Sequence, residues 1–422
     1  MEKVEYILDF CKELGKQMIV CGANIERVDL SIERICHAYG LHDVTCANLT
    51  TRISLSAKDD KQYYAHRQTD VPSQSFNLER LKKLTHLSYY VRDHTPDVTT
   101  LRDLLSEIKS NDFPWWIILI GYLIAMMALG RIFNAGIREL LVIELNTLML
   151  FGINKLTSKI QLSKIVANFI SMFLCSVIAM LLYAAHLIGN FYVVAITNAF
   201  FLIPGIQMIN CARNLLSGNE MNGIIEFLKV IFEVCSIVAG VAAAYFLLEG
   251  LVGYPRFEDS IVVSEINFVN ATELVVLSLL VSAGFSVVFN IQIKEIVFAA
   301  IGGTIVRIFY ILFQLAWPNY RFLYTMLAAF CAALYSEILG VSRKEPSTLF
   351  LYPSIIPLIP GDLLYYTSLG LIWGNIDLVG RFGPDLGLSL IGISIGFVLC
   401  STVVHYGRKI KFFKKLKADN HE

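Results

Sequence analysis

The 422-residue chain is 55% hydrophobic and only 17% charged, with 35 basic and 35 acidic residues and no net charge at pH 7. A soluble protein of this length needs more charge to cover its surface, and a neutral balance gives no electrostatic footprint for nucleic acid. Residues 1–114 hold 15 Lys/Arg and 17 Asp/Glu, as in a globular domain, whereas residues 115–407 carry 14 and 16 over 293 positions. The two parts are therefore expected in different solvents: a small α+β domain over 1–112, then a polytopic all-α membrane region.

In the first part, residues 4–21 and 24–39 carry apolar side chains at helical spacing. In the second of these, Ile25, Val28, Ile32 and Ile35 share a face opposite Glu26, Arg27, Asp29, Glu33 and Arg34, with Gly40 as C-cap. Residues 44–57 alternate apolar and polar as a strand, residues 61–69 form its hairpin partner, and helices follow at 77–93 and 98–110. Cys36, His37, His42 and Cys46 lack zinc-site spacing, and no phosphate loop or nucleophile elbow is present. No metal and no cofactor are expected. The nine cysteines contain no CxxC pair, so no disulfide framework is expected. Residues 1–20 lack the basic start and apolar core of a signal peptide, so this domain is expected to stay in the cytoplasm.

Apolar blocks follow near 115–130, 136–153, 165–187, 190–210 and 223–249, then near 269–289, 294–314, 321–340, 347–372 and 386–406. Each is long enough to cross about 30 Å of hydrocarbon. An offset of 156 residues superposes the first five on the second five. Phe133-Asn134 falls on Phe289-Asn290, and Ile137-Arg138-Glu139 on Ile293-Lys294-Glu295. Leu202-Ile203-Pro204-Gly205 falls on Leu358-Ile359-Pro360-Gly361, and Gly218-Asn219 on Gly374-Asn375. The organisation read from this is a first repeat over 113–250, a second over 265–408 and a basic tail over 409–422. A unit with an odd number of crossings ends on the opposite side of the membrane. About ten helices in a 5+5 inverted repeat are therefore predicted, a construction recurrent in secondary transporters.

With residues 1–114 inside, thirteen basic residues fall in inner loops and tail, from Lys155 to Lys417, against Arg131, Arg138, Arg256, Arg321 and Arg381 outside. That bias predicts cytoplasmic N- and C-termini, with the 250–268 loop and its Glu258, Asp259 and Glu265 facing outward.

Proline inside a helix removes a donor and clashes with the preceding turn, at a cost of about 3 kcal/mol. Pro204-Gly205, and Pro346, Pro353, Pro357 and Pro360-Gly361, should therefore interrupt the fourth and ninth blocks. A structural kink is the plain alternative at either place. Two broken helices of opposite direction can aim their dipoles at one central point. The candidate substrate site is accordingly Asn198, Pro204, Gly205, Gln207 and Asn210 with Ser354, Pro360, Gly361, Asp362 and Tyr365. Charges at bilayer depth cost at least about 2.5–3.5 kcal/mol, which makes Glu144, Glu233, Arg307 and Glu337 the ion-coupling candidates. Only His186 and His405 lie near block ends, so no enzymatic chemistry is expected.

Gly22-Ala23-Asn24-Ile25-Glu26-Arg27-Val28-Asp29, Gly284 to Asn290 with Arg307 beyond, and Ile356-Pro357-Leu358-Ile359-Pro360-Gly361 followed by Tyr365 together resemble the threonine/serine exporter family, whose halves occur fused or as separate proteins. Gly22, Ala23, Arg27 and Asp29 match the pattern of its cytoplasmic domain. Asn24 stands where an acid is usual, and Asp362 where a small or apolar residue is. The resemblance implies a multi-pass protein of the bacterial plasma membrane that exports threonine and serine. Alternating access is the mechanism expected of the inverted repeat, with protons or sodium the gradients considered. A C4-dicarboxylate such as succinate as substrate, an uncoupled metabolite channel, a sensor and a homo-oligomer stay open.

Overall fold

A computed structural model describes residues 2–72, 74–108, 112–216, 218–252 and 268–419, with side chains left aside at 2, 252, 268–269, 372 and 405–419. The expected 250–268 loop thus falls mostly outside the described residues, as do the side chains of the basic tail. The chain divides into two compact units: 1–114 with 289–295 and 340–349, and 115–288 with 296–339 and 350–422.

In the first unit, helices α1 (Glu2–Val20), α2 (Ile25–Ala38), α3 (Leu78–His94) and the short α4 (Leu101–Ser106) pack around a three-stranded antiparallel sheet. Its strands are β1 (His42–Cys46), β2 (Arg52–Lys58) and β3 (Tyr64–Asp70), in that order. The stretch 44–57, read as one strand, is therefore a hairpin. Its turn contains neither Gly nor Pro. It closes through the Asn48 side chain, whose Oδ1 accepts from Ser54 N–H (3.0 Å) and whose Nδ2 donates to Asp29 (2.6 Å). The apolar face of α2 is buried as its spacing requires, with Val28, Ile32 and Ile35 fully enclosed against Leu14, Met18, Ile53 and Leu55.

The rest of this unit comes from far along the chain. Leu78 N–H donates to the Phe289 carbonyl (3.0 Å), Phe113 N–H to Asn290 Oδ1 (2.7 Å) and Gln292 Nε2 to Glu79 Oε1 (2.7 Å). Lys82 and His86 on α3 hold Glu345 at 2.6 and 3.3 Å. Arg343 grips Glu295 through two hydrogen bonds (2.7 and 2.9 Å), and Arg27 reaches Ser347 Oγ (3.3 Å) and Thr348 Oγ1 (3.5 Å).

The second unit is helical throughout its described residues. The spans α5 (Trp115–Ile132), α6 (Ile137–Lys159), α7 (Lys164–Ala184) and α10 (Glu220–Val252) are long and apolar enough to cross a membrane. So are α11 (Phe268–Val288), α12 (Ile293–Ala316), α13 (Arg321–Arg343) and α16 (Ile376–Asp419). Two further stretches are broken. Helix α8 (Phe191–Leu202) meets α9 (Gly205–Leu216) at 62°, and α14 (Thr348–Ile355), extended by a 3₁₀ turn at Ile356–Leu358, meets α15 (Gly361–Ile372) at 55°. Of the prolines expected to interrupt the ninth block, Pro346 precedes α14 and Pro357 lies in the 3₁₀ turn. Pro353 is carried inside α14, and only Pro360-Gly361 re-aims the chain.

The 156-residue offset holds in the fold. It carries α6 onto α12 and α9 onto α15 to within a residue at each end, and it maps one break onto the other. Gly205 N–H turns back to the Ile203 carbonyl (2.8 Å), and Gly361 N–H to the Ile359 carbonyl (2.9 Å). Ile203 and Ile359 share φ −62°, with ψ 126° and 124°. The left-handed residues Asn134 and Asn290 correspond, as do Gly218 and Gly374. Gly240 on α10 and Gly396 on α16 also correspond. A Cβ at either would strike the backbone of α7 (Phe169, Phe173) or α13 (Met326, Phe330), so small residues set these helix crossings.

Residues 113 and 290 are hydrogen-bonded within one unit. Between them lie five helices long and apolar enough to cross a membrane, α5, α6, α7, α10 and α11, and the bent pair α8–α9, which has the length and composition of one broken span or of a re-entrant loop.

Two predictions come from these units. In a cysteine-free background, single cysteines at Asn219 and Gln292 should label from one face and those at Asn134 and Tyr320 from the other; Asn219 labelling together with Asn134 would mean a re-entrant pair. In the first unit, burial pushes the Asp29 carboxyl up from 3.8 to about 6, against the opposing pull of the Asn48 amide. A raised carboxylate stabilises most below its unfolded value, and this contribution is lost as pH rises through about 6. Asp29→Asn should therefore raise stability at pH 7.5 by about 1–2 kcal/mol and remove the loss between pH 4 and 7. Hydrogen-exchange protection of the α2 amides, corrected for intrinsic pH dependence, measures it.

Candidate substrate site

A helix broken inside a bilayer frees carbonyls that water cannot reach, and each needs a protein donor. With Gly361 N–H turned back to Ile359, the Pro357 carbonyl loses its place in the helical ladder. Arg307 of α12 supplies the donor: its Nη2 reaches Pro357 O at 2.8 Å while its Nε holds Ser278 Oγ at 2.9 Å. The repeat counterpart of Arg307 is Phe151, so the first break has no such cation.

Beside this contact lies a cavity of about 120 Å³. Its polar lining is Arg307, Tyr310, Arg321, Thr325, Asp362 and Ser389, together with the backbone of the 3₁₀ turn through Pro360. Leu129, Ile132, Phe133 and Phe200 form an apolar wall in which the Phe133 and Phe200 rings stand 5.2 Å apart. Water occupies about 10–15 Å³ on this measure, so the space admits a small metabolite and nothing much larger.

Asp362 sits in the first turn of α15, where its carboxylate offsets the positive end of the dipole. Arg307 and Arg321 both act on it electrostatically. No nitrogen lies within ion-pair distance of Asp362 among the described residues. Arg321 instead contacts Asp385 on α16 at 3.1 Å. Ser389, 2% exposed, points an unpartnered hydroxyl into the same region. Arg307 and Asp362 thus face one small space with no ion pair between them, while Arg321 at its edge is paired with Asp385.

The sequence-derived residues divide accordingly. Arg307, Pro360 and Asp362 line the cavity. The two Pro-Gly breaks touch: a Cβ on Gly205 would strike Ile359, and one on Gly361 would strike the Phe200 ring. Pro204 is buried at the first break, with Gln207 half-buried and Asn210 buried on α9. Asn198 is fully buried, and neither side-chain amide atom has a partner. Its repeat counterpart Ser354 is also fully buried, but its hydroxyl is engaged by the carbonyls of Phe350 (2.6 Å) and Ala299 (3.2 Å). Tyr365, 1% exposed, carries an unpartnered hydroxyl beside Tyr366.

Glu144, Glu233 and Glu337 are not part of the cavity lining. Glu144 has one buried oxygen without a partner, Glu233 lies 3.9 Å from Lys164, and Glu337 is half-buried on α13. In the first unit, Gly22 adopts φ +96° against the Phe76 ring and Ala23 is buried behind it. Arg27 and Asp29 turn to Ser347/Thr348 and Asn48 as described. Cys36 lies in the core and His42 pairs with Asp60 on the surface at 2.8 Å; among the described residues no His/Cys/Asp/Glu group is arranged to hold a metal.

Tyr310, Arg321, Thr325 and Ser389 were missed by sequence reasoning, and Arg321 was read as a loop charge. A signal for them did exist. Arg307, Arg321 and Asp362 fall on the apolar Phe151, Ile165 and Ile206 of the first repeat, so all three ionisable residues of the cavity depart from the repeat.

Residues 9–248 match a family model described as "Putative threonine/serine exporter", and residues 274–403 match a second, described as "Threonine/Serine exporter, ThrE". No curated protein and no solved structure matches the chain. The two matches cover both repeats and most of the first unit, and the chain belongs to the threonine/serine exporter family.

Proposed function

We propose that this protein is a secondary transporter exporting serine and threonine by alternating access, with the amino acid bound in the cavity at the second break. The observation that carries this reading is the separation of charge around that space. Arg307 and Arg321 present guanidinium groups suited to a carboxylate, and Asp362 is placed to receive an ammonium. Tyr310, Thr325 and Ser389 offer hydroxyl partners for a substrate hydroxyl. The small volume excludes large side chains. Binding and release need no covalent step, so the protein acts as a carrier rather than an enzyme.

The inverted halves supply the mechanics. A site at the meeting of two broken helices can be exposed to either face by rocking one repeat against the other. The bias of basic residues supports a plasma-membrane orientation with both termini and the first unit in the cytoplasm. Protons or sodium are the gradients considered, with Glu144 the first residue to examine for coupling because one of its oxygens is buried and unpartnered. With Asp385 paired to Arg321 the charges around the space balance, and the second reading is a C4-dicarboxylate such as succinate, which would bind without using Asp362.

Efflux of labelled serine, threonine and succinate from proteoliposomes separates the two. For the amino-acid reading, Arg307→Lys and Asp362→Asn should each reduce serine and threonine efflux at least about tenfold, the loss of one charge-assisted hydrogen bond. Wild-type efflux of succinate alone, or succinate efflux untouched by Asp362→Asn, would replace this reading with the second.

A further inference from the structure

A second polar cluster lies in the first repeat, at the joint of α9 and α10. Arg213 and Asn214 end α9, while Asn222 and Glu226 lie in the first two turns of α10. Asn214, Asn222 and Glu226 are 3%, 4% and 5% exposed, and Asn214 Nδ2 donates to Glu226 Oε2 at 2.9 Å. Arg213 Nε and Nη2 are both buried, and neither has a partner. These two nitrogens form one edge of the guanidinium plane, with two parallel N–H groups that match the two oxygens of a carboxylate.

Folding alone does not call for this cluster. The second repeat builds the equivalent α15–α16 joint from Leu369, Gly370, Leu378 and Phe382, the counterparts of Arg213, Asn214, Asn222 and Glu226. An apolar corner is therefore sufficient for the same geometry, and a buried guanidinium edge left empty is costly. Glu226 acts electrostatically on Arg213 without an ion pair between them among the described residues, and Lys229 lies in the same field. The cluster thus holds a cation and an anion apart, as the cavity does with Arg307, Arg321 and Asp362.

We propose that Arg213 and Glu226 form a second seat for a zwitterionic amino acid, with the carboxylate on the Nε/Nη2 edge of Arg213 and the ammonium toward Glu226. The proposal rests on the amino-acid reading above. With α8–α9 counted as one broken span, four crossings separate residue 114 from the α9–α10 joint, and this seat lies at the face where α5 begins. The cavity is lined by the last turn of α5 and the first residue of α13, which places it toward the opposite face. Between them, α9 runs from the break at Gly205 to Arg213, about 12 Å at 1.5 Å per residue. The two seats stand on either side of the breaks, one built by each repeat. The Arg213 seat takes the substrate before the bundle rocks, and the cavity holds it afterwards.

The test uses the full chain in phosphatidylcholine liposomes of defined orientation, with labelled L-serine applied to each face in turn. Arg213→Gln should raise the half-saturating serine concentration about tenfold or more at the face where α5 begins and leave the other face unchanged. Arg213→Lys, which keeps the charge but loses the fork, should fall between. Glu226→Gln, which keeps the side-chain shape, should weaken serine and let succinate compete better at that face alone. Equal half-saturation in wild type and Arg213→Gln at both faces would overturn the seat. So would an Arg213 effect that appears only when phosphatidylglycerol is added, which would make this a lipid phosphate site. Wild-type protein that moves neither serine nor threonine would instead overturn the transport reading itself.

Discussion

Within the bilayer every backbone carbonyl must find a donor inside the protein, and the contact from Arg307 to the Pro357 carbonyl is where this chain meets that demand most plainly. The Pro360-Gly361 break cannot continue the helical ladder, so it frees acceptors at membrane depth. A buried guanidinium is an expensive way to satisfy one of them. It also places a fixed positive charge beside the N-terminus of α15 and opposite Asp362. The residue that caps the broken helix is thus also a lining residue of the cavity.

The repeat explains why the breaks meet, and its imperfections explain what the site can do. Inverted copies bring Gly205 against Ile359 and Gly361 against Phe200, so each break needs the absent side chain of a glycine to admit the other half. The backbone at the two breaks agrees to within a few degrees. The polar side chains do not agree at all. Arg307, Arg321 and Asp362 fall on apolar residues in the first repeat, and Arg213 and Glu226 fall on apolar residues in the second. The repeat fixes the backbone of the breaks, and departures from it place the ionisable side chains.

The first unit is held together by segments from three parts of the chain. Glu345, gripped by Lys82 and His86, lies in the connection that leads into α14, and Arg27 reaches the first residue of that helix. Of the family-pattern residues, Arg27 reaches the start of the broken helix, through the hydroxyls of Ser347 and Thr348. Gly22 and Asp29 have local roles, one in a left-handed turn under Phe76 and the other in pinning the β1–β2 hairpin through Asn48.

Hydrophobic periodicity, block length and the 156-residue offset were enough to determine two solvents, a polytopic helical region, its duplication and the location of both breaks. These features are local or additive along the chain: a helix crosses a membrane because of its own twenty residues, and proline breaks it by removing its own donor. The cavity was only half legible. Arg307, Pro360 and Asp362 stood out because charge and proline are unusual at depth, whereas Tyr310, Thr325 and Ser389 are ordinary residues of helices far apart in sequence. Arg321 read as a loop charge because nothing in the sequence tells which way the first residue of a helix turns. The turn at 47–51 lacked Gly and Pro, so the sequence did not mark the hairpin that the Leu49–Arg52 backbone bonds and the Asn48 side chain close. Tertiary structure alone placed Phe113 against Asn290, because that hydrogen bond joins positions 177 residues apart in the sequence. It alone decided which charges share a space, since that depends on where whole helices pack and not on their spacing along the chain.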